Sequence, residues 1–220
     1  MVDDYLSDRE QEEALRRWWQ ENWRWIVGGI VLGIVVLVGY FQWQGYQERR
    51  GLAASAQYEK VRSAAEERNL EQAQEALAAL TKDYGSTPYA QQGRLLVAKL
   101  QAENEKFDEA AALLREVIDK SKDDELATIA TLRLARVLIQ LGKHDEAIAS
   151  LKVDKLGAFA AAAREIRGDA YLAKGDRNAA RAEYAAALAD QSARIDRTLV
   201  EMKLQDLGGS ADEAKAQGQP

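Results

Sequence analysis

No cysteine occurs in the 220 residues, and there is one histidine, His144. Their scarcity excludes disulfides, thiol catalysis, haem attachment through cysteine, and metal sites built from cysteine or several histidines. A lipid anchor on cysteine is excluded for the same reason. Proline is nearly absent too: Pro88 and Pro220 stand beside 39 alanines. Alanine has the best helix propensity and proline the worst, so the expected fold class is all-α. Basic residues are outnumbered, Lys+Arg 30 against Asp+Glu 36, a net charge of −6. That balance argues against a nucleic-acid binder and against general attraction to anionic lipid. The mean hydropathy of −0.42 is that of a soluble protein, but it averages two unlike parts.

Charge is missing altogether between Arg24 and Glu48, and Trp25 to Phe41 is apolar or glycine throughout. A bilayer core about 30 Å thick needs roughly 20 helical residues at about 1.5 Å each. The run, with Trp23, Gln42 and Trp43 at its ends, supplies that length. Its ten Ile, Val and Leu residues each favour insertion by about 0.3–0.6 kcal/mol, partly offset by glycine. Buried strands usually run about 4–8 residues, too few for this stretch. Trp23, Trp25, Tyr40, Trp43 and Tyr46 flank it as interfacial aromatics do. We assign residues 25–43 as a single transmembrane helix. Ala54-Ser55-Ala56 has the form of a signal cleavage site but lies too far beyond the run, so an uncleaved anchor is expected. Gly29-x-x-x-Gly33 is a candidate helix-packing face, although glycine is common in membrane helices in any case.

Arg16, Arg17 and Arg24 precede the span, and Arg49 and Arg50 follow it, a slight lean toward an inside N-terminus. Residues 1–24 are read as a cytoplasmic arm. Within it, Ser7-x-x-Glu10 has capping-box spacing, which predicts a helix starting near Asp8. Leu15, Trp18, Trp19 and Trp23 follow at helical spacing close to the membrane. They form either an amphipathic lead-in at the lipid surface or a docking face for a membrane partner.

Residues 44–207 repeat. Leu70-Glu-Gln-Ala73, Phe107-Asp-Glu-Ala110, His144-Asp-Glu-Ala147 and Arg177-Asn-Ala-Ala180 align, with alanines 37, 37 and 33 residues apart. Four residues after each alanine comes a large residue, Leu77, Leu114, Leu151 or Tyr184, one turn further along the same helix face. Twelve residues before the last three alanines sits another small residue: Ala98, Ala135 and Gly168. Small residues at both places let two helices approach closely. Gly142 and Gly175 mark turns between the helices of two units. The period predicts stacked helical hairpins. Thr87-Pro88 starts a helix well. A terminal helix within Ser192–Leu207, carrying Ile195, Leu199, Met202 and Leu204, is expected to cover the last hairpin. Residues 208–220 are expected to be a disordered tail.

No motif for catalysis is present: no phosphate loop, nucleophile elbow or metal-ligand spacing. No cofactor, metal site or catalytic residue is expected. His144 is expected to be a solvated turn residue. Stacked hairpins instead offer an inner surface for an extended peptide or a partner helix. The register places Leu95, Lys99, Ile129, Leu132, Arg136, Ile139, Glu165, Asp169 and Leu172 along that groove, either facing a ligand or packing between repeats.

The clearest unit, Gly168 to Ala187, resembles a tetratricopeptide repeat, and the resemblance extends over roughly residues 52–191. The framework tryptophan and closing proline of that family are missing. The arm Glu12-Glu-Ala-Leu-Arg-Arg-Trp-Trp-Gln-Glu-Asn22, the glycine-containing span and the alanine-rich repeats together resemble the YfgM-like family, ancillary subunits of the bacterial Sec (SecYEG) translocon. That resemblance implies an inner-membrane protein with a periplasmic repeat domain. It implies partnership with the translocon and with a PpiD-like membrane-anchored periplasmic chaperone, and possible contact with unfolded secreted proteins. It brings no catalytic residues. The alternatives are a repeat scaffold for another envelope complex and a membrane-bound enzyme lacking known motifs.

Overall fold

The computed structural model describes residues 8–153, 156–189 and 195–209. They form nine α-helices and short 3-10 pieces, with no strand among the described residues. The helices are α1 Asp8–Glu66, α2 Leu70–Tyr84, α3 Pro88–Glu103, α4 Phe107–Lys120, α5 Asp124–Gln140, α6 His144–Ser150, α7 Ala160–Ala173, α8 Arg177–Ala189 and α9 Arg197–Asp206. The chain divides into two compact units, Met1–Leu52 and Ala53–Pro220. Ser7 of the expected capping pair and most of the expected tail, 210–220, lie outside the described residues, as do 192–194 of the expected terminal segment.

The first unit is helical from Asp8 through the apolar run without interruption. Apart from half-buried Ile26, its large apolar side chains are exposed from Trp25 to Tyr46. The helix is long and apolar enough to cross a membrane. Residues 25–43 amount to about 28 Å at 1.5 Å per residue, close to a bilayer core.

In the second unit each helix packs on the next, and α5 also touches α3 and α7. This neighbour-and-next-neighbour pattern is a stack of helical hairpins. The aligned alanines Ala73, Ala110, Ala147 and Ala180 are all fully buried, and so, or nearly so, are Leu77, Leu114, Leu151 and Tyr184. The repeat is least regular at α6, which has seven residues where α2, α4 and α8 have 13–15. A 3-10 turn, Gly157–Phe159, precedes α7. Thr87 caps α3 as the sequence implied, its hydroxyl accepting from the Ala90 N–H, with Pro88 in the first turn.

The hairpin turns share one geometry. The second residue after the first helix has positive φ: Arg68 at 55°, Glu105 at 60°, Gly142 at 72° and Gly175 at 89°. The following N–H bonds to a carbonyl five residues back in each case: Asn69 to Ala64, Lys106 to Gln101, Lys143 to Leu138, Asp176 to Tyr171. A second bond runs from the positive-φ residue to the carbonyl three residues back, for example Glu105 to Ala102 at 3.1 Å. This is the Schellman arrangement, which satisfies carbonyls that a helix end leaves free. It recurs after α9, where Gly208 has φ of 77° and the Gly209 N–H bonds to Leu204. Thus α9 ends as the first helix of each hairpin ends.

Two of these turns place an L-residue where glycine is at ease. A left-handed conformation costs such a residue about 1–2 kcal/mol, and glycine offsets part of that gain by its larger loss of chain entropy. Glu105→Gly should therefore stabilise the repeat unit by about 0.5–1 kcal/mol, whereas Gly142→Ala should destabilise it by a similar amount. Urea unfolding of both variants in detergent tests this. Equal midpoints for the two variants would show that the turn does not select its residue.

The terminal helix corrects the expected face. Val200 and Leu204, one turn apart, are buried against Tyr184, Ala187 and Leu188. Leu199 and Met202 are exposed, and Ile195 is partly buried. Ile195 and Leu207 pack half-buried at the edges of this small apolar surface, and Lys203 lies beside it.

Candidate functional site

Of the two roles expected for the inner surface, its apolar residues take the packing one. Leu95 and Leu132 lie in the core, only 6% exposed each, and Ile129 and Ile139 pack half-buried against it. The first helices of adjacent hairpins touch one another, so apolar residues at those positions close the seam between repeats. The long charged residues stay outside. Lys99 and Arg136 are exposed and, with Arg133, line a cleft of about 520 Å³ between α3 and α5. Ala98, Ala102 and Val137 contribute apolar lining, and Glu103 stands at its edge. Lys99 Nζ lies 3.6 Å from Glu103 Oε1. The half-buried Arg133 donates through Nη1 to the Leu95 carbonyl at 3.2 Å. Burial, and next to it the Arg136 charge, pull the Arg133 guanidinium below its ordinary pKa. Sequence reasoning missed Arg133. Its spacing of three residues from Arg136 was the available signal, since residues three apart share a helix face.

Glu165 and Asp169 are occupied by this chain itself. Lys203 of α9 reaches Glu165 Oε1 at 2.9 Å and Asp169 Oδ1 at 2.8 Å. The Tyr184 hydroxyl donates to Asp169 at 2.7 Å. Burial alone would lower the Lys203 ammonium, but its bonds to Asp169 and Glu165 hold it above its ordinary pKa. Burial, followed by the Asp169 bond and charge, raises the Tyr184 phenol. These residues form a clasp joining α7, α8 and α9. Leu172 is exposed at the far end of α7 and lines neither cleft nor clasp.

Another charged pair fastens α3 to α4. Arg94, almost fully buried, donates to Glu116 Oε2 at 3.0 Å. Lys120 binds the same carboxylate at 2.8 Å. The Lys120 bond is the main cause that lowers the Glu116 pKa, with Arg94 adding to it against a cost of burial.

In α1, Leu15, Trp18, Trp19 and Trp23 are all exposed. A Cβ added at Gly29 or Gly33 would meet nothing within 4 Å. At 3.6 residues per turn, Leu15, Trp19, Gly29 and Gly33 fall on one side of α1, with Trp18 and Trp23 on its flanks. The arm and the span therefore present one continuous stripe.

These features can be set beside known proteins. The tetratricopeptide repeat-like domain family matches residues 16–209. A protein of Aggregatibacter actinomycetemcomitans named "Ancillary SecYEG translocon subunit" is 34% identical over 92% of this chain and 99% of its own length. Proteins of the same name from Haemophilus influenzae (33%) and Escherichia coli (29%) also match over 92% of this chain, and over 99% and 98% of their own lengths. The chain belongs to the ancillary SecYEG translocon subunit family. The tetratricopeptide repeat-like match, 16–209, takes in the tryptophans and the apolar run of α1 as well as the repeats.

His144 needs a correction within this frame. It is half-buried rather than solvated, and its Nδ1 is shielded from water with no hydrogen-bond partner among the described residues. It opens α6 at the position where Leu70 and Phe107 open α2 and α4. The repeat register calls for an apolar body there, and the imidazole supplies one.

Proposed function

We propose that the chain is a membrane-anchored adaptor of the Sec translocon. Its arm, residues 1–24, lies in the cytoplasm, residues 25–43 cross the inner membrane, and the repeat domain, 44–207, works in the periplasm. There it links emerging secreted proteins to a PpiD-like chaperone through protein contacts. The observation that carries this reading is near full-length similarity to proteins named as translocon subunits. The exposed apolar helix supports an anchored protein, and the arginines before the span support an inside N-terminus. Anchoring raises the local concentration of the repeat domain near its partners, so individually weak contacts suffice.

Affinity purification of the full chain in mild detergent should recover SecYEG and the chaperone. Photo-cross-linking probes at Trp19 and Gly33 should trap translocon subunits, and a probe at Leu172 should trap periplasmic chains. Recovery of the intact protein alone, in several detergents and without cross-links, would remove the adaptor reading. Protease treatment of inside-out inner-membrane vesicles tests the orientation: residues 44–207 should be protected.

A further inference from the structure

We propose that the arm of α1 docks, through its Leu15–Trp23 face, on a basic helix that leaves the inner membrane beside it and sets lysine or arginine against Glu12. The inference rests on the adaptor reading, which makes that helix part of the translocon. The argument begins with pattern. Leu15, Trp18, Trp19, Asn22 and Trp23 stand at i, i+3, i+4, i+7 and i+8, the spacing of a helix with one apolar face. Glu13, Arg16, Arg17, Gln20, Glu21 and Arg24 fall on the other side. Leu15 is 67% exposed, and the three tryptophans are exposed as well. A contiguous apolar face of this kind marks a surface that something covers.

Lipid covers only part of that face. α1 is unbroken from Asp8 through the apolar run, and neither glycine nor proline occurs between Asp8 and Val27. Sharp kinks need such residues or a bulge in the helix, so the arm continues the direction of the span. The Asn22 side chain adds a bond to the Trp18 carbonyl at 2.8 Å, close to where arm meets span. Along the membrane normal, Trp23 lies about 3 Å, Trp19 about 9 Å and Leu15 about 15 Å beyond Trp25, at about 1.5 Å per residue. The headgroup layer is only about 5–8 Å deep on each side. Headgroups therefore reach Trp23, whereas Leu15 stands clear of them. Charge points the same way. Residues 1–13 hold six acidic residues and one basic, and residues 14–24 hold three basic and one acidic. An anionic inner leaflet attracts the second group and repels the first, so an arm lying flat presses its acidic stretch onto like charge. A second copy of this chain fits no better. In a parallel pair each residue of the face meets its own counterpart, which sets Glu12 against Glu12 and repels. Glu12 lies on the same side as Leu15 and Trp19 and forms no ion pair with any described residue. A basic side chain at that level uses the free carboxylate instead. Cytoplasmic ends of membrane spans carry an excess of lysine and arginine, which is the chemistry the acidic end of the arm calls for. To reach Glu12 the partner helix extends about 20 Å beyond the hydrocarbon, or about 13 residues.

The test exploits the absence of cysteine: Leu15→Cys gives the full chain a single site for a bimane label. The labelled chain is placed in nanodiscs of phosphatidylethanolamine and phosphatidylglycerol, with and without purified SecYEG. Emission should be water-like for the chain alone. With SecYEG it should shift to the blue, and quenching by iodide should fall several-fold. Glu12→Lys/Glu13→Lys changes two exposed side chains and should weaken SecYEG binding by about tenfold at low salt, with a smaller difference at high salt. Blue emission without SecYEG shows an arm in lipid and overturns the proposal. Blue emission that appears only with two copies of the chain per disc shows self-pairing and also overturns it. A full blue shift and unchanged binding in the charge-reversed variant overturn the basic partner. A photo-cross-linking probe at Gly33, read on the same discs, separates this inference from the adaptor reading. Cross-links to SecYEG without a shift at residue 15 remove this inference alone. No cross-link and no shift remove the adaptor reading, and this inference with it.

Discussion

Lys203→Met is expected to loosen the C-terminal hairpin by about 2–3 kcal/mol. Glu165 and Asp169 lie one turn apart on α7, and only the Lys203 ammonium separates their charges, at 2.9 and 2.8 Å. Removing it leaves two carboxylates facing each other, where like charges disfavour ionisation and burial adds to the cost. Breaking a fully buried pair costs about 3–5 kcal/mol. Here the side chains of Lys203, Glu165 and Asp169 retain 24%, 11% and 30% exposure, so the lower figure applies. Methionine preserves much of the aliphatic stem over the Tyr184 ring, which keeps the packing loss small. Urea unfolding should show a lower midpoint, and proteolysis should release α9 first. The clasp also has a pH signature. Lys203 and Tyr184 both have folded pKa values above their ordinary ones. A group raised in this way contributes its full stability below its unfolded pKa, about 10 for tyrosine and about 10.4 for lysine. That contribution is lost as pH rises through the folded value. Stability should therefore hold through neutral pH and fall above about pH 10, and the Lys203→Met variant should fall less steeply. A variant that unfolds at the wild-type urea concentration would show that the clasp contributes nothing.

The repeat framework was legible because it is written in local sequence. Two helices that cross closely need small residues at fixed places, so Ala73, Ala110, Ala147 and Ala180 announce the period, and all four are buried as that logic requires. The turns were half legible. Gly142 and Gly175 mark two of them, but Arg68 and Glu105 adopt the same left-handed conformation at a cost the fold absorbs. The inner surface was harder to read. One helix period does not distinguish a residue facing a ligand from one facing the neighbouring hairpin, and contact between α3, α5 and α7 draws Leu95 and Leu132 inward. The clasp was illegible for a different reason. Lys203 lies 38 residues from Glu165 and 34 from Asp169, and no local pattern links them. The face of α9 was half legible because its apolar residues are too few to fix a phase. Of the expected stripe, Leu204 and Ile195 pack, joined by Val200, while Leu199 and Met202 stay exposed.

Gly168→Ala is expected to destabilise the last hairpin by about 1–3 kcal/mol, the ordinary cost of overpacking, although alanine favours helix over glycine by about 0.8–1.0 kcal/mol. The site decides the sign. A Cβ at Gly168 would clash with Tyr184 Cε1 and lie 2.6 Å from Cδ1, where carbon atoms settle at about 3.5–4.0 Å. The ring has little room to retreat. Tyr184 is fully buried, and its hydroxyl is held by Asp169 at 2.7 Å. Moving the ring breaks that bond or separates α7 from α8. The glycine is thus explained by close approach rather than by backbone conformation, since it lies within α7. A second substitution isolates the cause. In a Tyr184→Leu background, which is itself less stable, the added methyl meets a smaller and more adaptable side chain. Gly168→Ala should then become neutral or stabilise by up to about 1 kcal/mol through helix propensity. The two substitutions should therefore be strongly non-additive, as contacting residues are. Additive effects in urea unfolding of the four proteins would mean that the Tyr184 ring does not rest on Gly168.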